Sequence, residues 1–145
     1  VGPVTVDPLV LLPEAARARP AEAWATRVSV HHAPRMIATL VWARLREVEV
    51  HHVDPATSYR TADWPDAFSQ RLLHEVVHLA ARDGQLSLVL RPAEARQPLT
   101  LGAAGTAPTV SGPAHALAGW LTGRSPGDSL TVTPAGPLPT PPAWL

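Results

Sequence analysis

The feature that most constrains this chain is a change of apolar period at Gly84. Before it, residues 35–53 and 65–82 repeat their apolar side chains at helical spacing. After it, residues 86–90 and 99–101 alternate at a period of two, as strands do. Each helical stretch has its own punctuation. Pro34 and Pro65 are placed to open a helix at its first turn, where the missing N–H costs nothing. Asp54-Pro55 ends the first stretch, because the residue before a proline is pushed out of the helical region, and Asp83-Gly84 ends the second. The expected class is therefore α+β: helices first, then a small, mostly antiparallel sheet.

The flanking segments fill in this outline. Residues 1–13 hold three prolines and no helical period, and read as an extended lead-in. Residues 13–24 suggest short helical pieces broken at Pro20, residues 26–30 a short strand, and His31-His32 a turn. Residues 56–64 read as a loop, 109–111 and 129–133 as further strands, and 113–121 as a compact helix ending at Gly123. The proline-rich tail, residues 137–145, is expected to pack across the surface.

Composition removes several function classes. The 145 residues suit one domain or a small domain joined to part of another, and a 46% apolar content supports a packed core. There is no cysteine, so disulfides, a cysteine nucleophile and thiolate metal sites are excluded, and a metal would have to sit on His, Asp or Glu. Zero net charge, with twelve cations that are all Arg, gives no footprint for nucleic acid or an anionic membrane. No apolar run approaches the roughly 20 residues of a membrane span, and the first ten residues lack a basic signal-peptide start. The sole methionine is Met36, so no initiator is present in these residues.

Two constellations carry chemistry. On a helical wheel of residues 35–53, Met36, Leu40, Glu47 and His51 share one side, with Asp54 at its end, while Arg35, Thr39, Arg46 and Glu49 are expected to face water. Glu47 and His51 stand four apart, which brings both onto one face. Such a pair can chelate a divalent metal or form a Glu–His hydrogen bond at a helix contact, and the spacing alone favours the second. His52 reads as a packing or hydrogen-bonding histidine. The second constellation is His74-Glu75-Val76-Val77-His78, which matches the H-E-x-x-H motif of zinc peptidases. Here Phe68, Leu72, Val76, Leu79 and Ala80 form the apolar stripe, and Arg71, His74, His78 and Arg82 the opposite face. The ligand positions thus fall on the solvated side, and the peptidase reading is the weaker one. Arg124, just past a helix, either caps that helix or meets an anionic group.

The strings Leu45-Arg-Glu-Val-Glu-Val-His-His-Val-Asp54, Ala62-Asp-Trp-Pro-Asp66, Ser111-Gly-Pro113, Trp120-Leu-Thr-Gly-Arg124 and Pro-Pro-Ala-Trp-Leu145, in this order, resemble the mycothiol-dependent maleylpyruvate isomerase family. The resemblance covers residues 14–145. It implies a DinB-like helical bundle, whose end is residues 1–83 with the first helices absent, followed by a small α/β domain over residues 84–145. It also implies a divalent metal, usually zinc, on Glu47 and His51, a catalytic arginine at Arg124, and mycothiol as the source of the thiol this chain lacks. The family's third ligand, a histidine on an early helix, has no counterpart before residue 34. The implied substrate is a small electrophile or carboxylate, and the implied compartment is the cytoplasm. The competing reading is a degenerate domain that serves as a non-enzymatic binding unit.

Overall fold

Strand β3, Leu88–Pro92, shows why the second half of the chain becomes a sheet: Leu88, Leu90 and Pro92 are buried while Val89 and Arg91 point the other way. The computed structural model describes residues 17–30, 33–54, 58–84, 86–103 and 105–141. The expected lead-in at residues 1–13, the His31-His32 turn and the end of the tail at residues 142–145 lie outside the described residues. The chain divides into two compact units, residues 1–47 and 48–145.

The first unit contains helix α1, Ala21–Ala25, preceded by Pro20, and a hairpin of β1, Arg27–Val30, and β2, Ala33–Met36. The hairpin is antiparallel, with Arg27 opposite Met36 and Val30 opposite Ala33. Residues 33–36 correct the sequence reading, which used Pro34 to open a helix. In a two-stranded ribbon every strand is an edge, and an edge tolerates the proline's missing donor. Helix α2, Ile37–Val53, follows directly and runs through the division between the units.

The second unit holds the end of α2, a 3-10 turn at Thr61–Asp63, helix α3 at Asp66–Asp83, and helix α4 at Ala114–Leu121. Its strands, β3 with β4, Leu99–Leu101, β5, Thr109–Gly112, and β6, Thr131–Thr133, lie in the order β4-β3-β5-β6. The β3/β4 and β5/β6 pairs are antiparallel, and β3/β5 is parallel. The class is α+β, as the period change implied.

The core of this unit is aliphatic. Leu72, Leu73 and Val76 of α3, Leu117 and Leu121 of α4, and Leu88, Leu90, Leu101 and Val110 of the sheet are all fully buried. Two small devices join the pieces. Glu94, in the turn after β3, accepts a hydrogen bond at 2.9 Å from the backbone N–H of Ala114, and so satisfies a donor that the first turn of α4 leaves without an intrahelical partner. Gly119 lets the 3-10 turn approach α4, since a Cβ there would stand 2.7 Å from Cγ2 of Thr61. Among the described residues, no helix is long and apolar enough to cross a membrane.

Candidate functional site

Helix α2 lies on its surroundings differently from the wheel expectation. Val50 is its one buried residue, and Trp42, Arg46, Glu49 and Val53 are half-buried along the same side. Met36, Val41, Leu45 and Val48 are exposed. Glu47 and His51, expected beside core residues, are exposed too, with 56% and 63% of their side chains open. Arg46 and Glu49, expected to face water, are partly covered. The reason lies in the loop that follows α2. Tyr59 donates its hydroxyl to Oε2 of Glu49 at 2.6 Å, and the Trp64 indole N–H reaches the Glu49 carbonyl at 3.1 Å. Polar partners satisfy Glu49, so its side of α2 can be covered although it is charged.

Burial, and then the nearby Glu49 carboxylate, push the Tyr59 phenol up to about 12. His52 stacks on Tyr59 with ring centroids 4.2 Å apart, which is the packing role its position suggested.

At the end of α2 the structure gathers three candidates around one carboxylate. Asp54 Oδ1 accepts from Arg124 Nε at 2.9 Å, and Oδ2 accepts from Arg124 Nη2 at 3.1 Å. His51 Nδ1 lies 2.7 Å from the same Oδ2. The Arg124 guanidinium, and then the His51 bond, hold the Asp54 carboxyl below the usual carboxylate range despite the opposing effect of partial burial. Arg124 itself is largely covered, with 16% of its side chain exposed. Its Nη1 donates to the Thr122 carbonyl at 2.7 Å, so it also caps α4. Arg124 lines a cavity of about 330 Å³ together with Tyr59, Arg60, Thr61 and Ser125. Two arginines with the hydroxyl-bearing Tyr59, Thr61 and Ser125 on one cavity suit an anionic guest.

Asp54 is the residue the sequence reading underused. The sequence places it at the end of the helix face, before Pro55 and within the family-like string, and its position three residues after His51 puts it within reach of that imidazole. Nothing in the local sequence pairs it with Arg124, seventy residues on.

Glu47 pairs with Arg44 one turn earlier at 3.4 Å. Among the described residues, no group of three His, Cys, Asp or Glu is placed to hold a metal ion. Glu47 and His51 offer a metal two donors, four residues apart on the exposed side of α2. Catalytic zinc ordinarily takes three protein ligands. His74 and His78 are exposed on α3, opposite buried Phe68, Leu72, Val76 and Ala80, as the wheel predicted, while Leu79, expected in the same apolar stripe, is exposed.

A family model described as the MDMPI C-terminal domain matches residues 49–143. Among solved structures, the chain is similar to the crystal structure of the mycothiol-dependent maleylpyruvate isomerase, with a TM-score of 0.73 and 25% identity. It is equally similar to a histidine-to-alanine mutant of that enzyme. In each case 94% of this chain is covered, and the chain spans 57% of the length of its counterpart. No curated protein matches.

Proposed function

This chain belongs to the family of MDMPI C-terminal domains, and on that premise we propose that it works in a mycothiol-dependent, metal-binding enzyme. The reaction is either cis–trans isomerisation of the maleylpyruvate type or transfer of mycothiol to a small electrophile. Its partners are the small-molecule thiol and a small electrophilic or carboxylate substrate, and its compartment is the cytoplasm.

The observation that supports this reading is the joining of Arg124 and His51 by the Asp54 carboxylate. Glu47 and His51 are the residues that would hold zinc, and a bound zinc ion would keep the mycothiol sulfur as thiolate. Arg124, locked in place beside the cavity, holds a substrate carboxylate. Mycothiol, when bound, would supply the thiol nucleophile for isomerisation about a cis double bond, a nucleophile this cysteine-free chain lacks.

The test has two arms. Calorimetric titration with zinc is expected to show weak binding to the wild type and weaker binding to Glu47→Ala and His51→Ala. Supplied with zinc, mycothiol and maleylpyruvate, the protein is expected to form the trans product, and Arg124→Ala to slow it by about 10²-fold. The exposure of Glu47 and His51, with no three-ligand group among the described residues, favours a second reading: a degenerate domain that binds without catalysis. Absence of both zinc binding and product would leave that reading standing and sink the first.

A further inference from the structure

We propose that Asp54 is the positioning residue of this site: its single carboxylate sets the imidazole tautomer of His51 and the orientation of Arg124 together. The inference rests on the proposed function above, and it extends that reading to a residue that touches neither metal nor substrate.

The geometry is specific on both sides of Asp54. The carboxylate leaves the end of α2 at a point fixed by the backbone, where the Asp54 N–H donates to the His51 carbonyl at 3.3 Å. Arg124 arrives from the end of α4, its own N–H donating to the Gly119 carbonyl at 2.8 Å and its Nη1 to Thr122. Both groups are therefore delivered by helix ends, and the side-on pair of bonds at 2.9 and 3.1 Å fixes the guanidinium plane.

The tautomer follows from hydrogen-bond chemistry. An ionised carboxylate only accepts, so the 2.7 Å contact requires the proton on Nδ1 of His51. The Nε2 lone pair is then available to a ligand or a proton. A carboxylate behind a ligating histidine orients the ring and fixes its tautomer in this way. An amide at position 54 keeps the shape of the side chain but offers one acceptor oxygen where the carboxylate offers two. It cannot serve both the Nδ1–H of His51 and the side-on Arg124 guanidinium, so at least one of the two partners is released.

Long-range proton–nitrogen NMR on the whole chain without metal, at about pH 8 where imidazoles are ordinarily neutral, reads both consequences. Wild-type His51 is expected as the Nδ1–H tautomer, assigned against His51→Gln, with a protected Arg124 Nε–H signal. In Asp54→Asn, at least one of the two is expected to be lost, the Nδ1–H of His51 or the protected Arg124 Nε–H signal, while the amide spectrum stays folded. Wild-type His51 found as Nε2–H overturns the proposal, whether or not the variant folds. So does a folded Asp54→Asn with both signals unchanged. A separate zinc titration is expected to weaken about 10–100-fold in Asp54→Asn. Failure of the wild type to bind zinc counts against the metal reading alone, because the NMR arm contains no metal.

Discussion

The Tyr59 hydroxyl donates to the Glu49 carboxylate at 2.6 Å, a short bond across ten residues that ties the loop after α2 back to the helix. Because Tyr59 is the only tyrosine in the chain, its ionisation can be read without ambiguity by ultraviolet absorbance. The phenol is expected to titrate near 12, against its ordinary 10.0. The folded state thus favours the protonated form. The stability this contributes is fully present below pH 10 and is lost as pH rises from 10 toward 12. Glu49→Gln should lower the midpoint only in part, because burial is the larger cause. A midpoint near 10 in the folded protein would contradict the contact.

Leu72 and Leu117 are completely buried on α3 and α4. Truncating either to alanine removes apolar burial and leaves a cavity, at a cost of about 2–5 kcal/mol. Urea denaturation is the measurement, and a loss below about 1 kcal/mol would show that the two helices do not share this core.

Gly119 faces Thr61, so Gly119→Ala sets two opposing effects against each other. Alanine gains about 1 kcal/mol of helix propensity. Its Cβ also lands 2.7 Å from Cγ2 of Thr61, and overpacking of this kind costs about 1–3 kcal/mol. The clash is expected to win. Adding Thr61→Ala removes the opposing methyl, so the double mutant should recover stability relative to the Gly119→Ala single mutant. Strictly additive losses would refute the close approach.

Glu94 caps the first turn of α4 from the turn after β3. Glu94→Ala leaves the Ala114 N–H without its acceptor and is expected to cost about 0.5–2 kcal/mol in thermal or denaturant unfolding. By contrast, His74→Ala and His78→Ala, on the exposed face of α3, should change stability by less than about 0.5 kcal/mol. A zinc-dependent hydrolytic activity lost in these two variants would revive the peptidase reading.

The sequence by itself determined most of the element order, strand β2 at Ala33–Met36 excepted. The change of period at Gly84 and the helix-closing Asp54-Pro55 and Asp83-Gly84 pairs were legible, because local propensity and spacing govern them. Two things were decided only in three dimensions. The first is which side of α2 is covered: the wheel offers apolar residues on more than one face, and polar bonds from Tyr59 and Trp64 to Glu49 select the side of Val50. The second is the meeting of Asp54 with Arg124. A contact across seventy residues depends on how the ends of two helices are placed by a common core, and no local pattern encodes that placement.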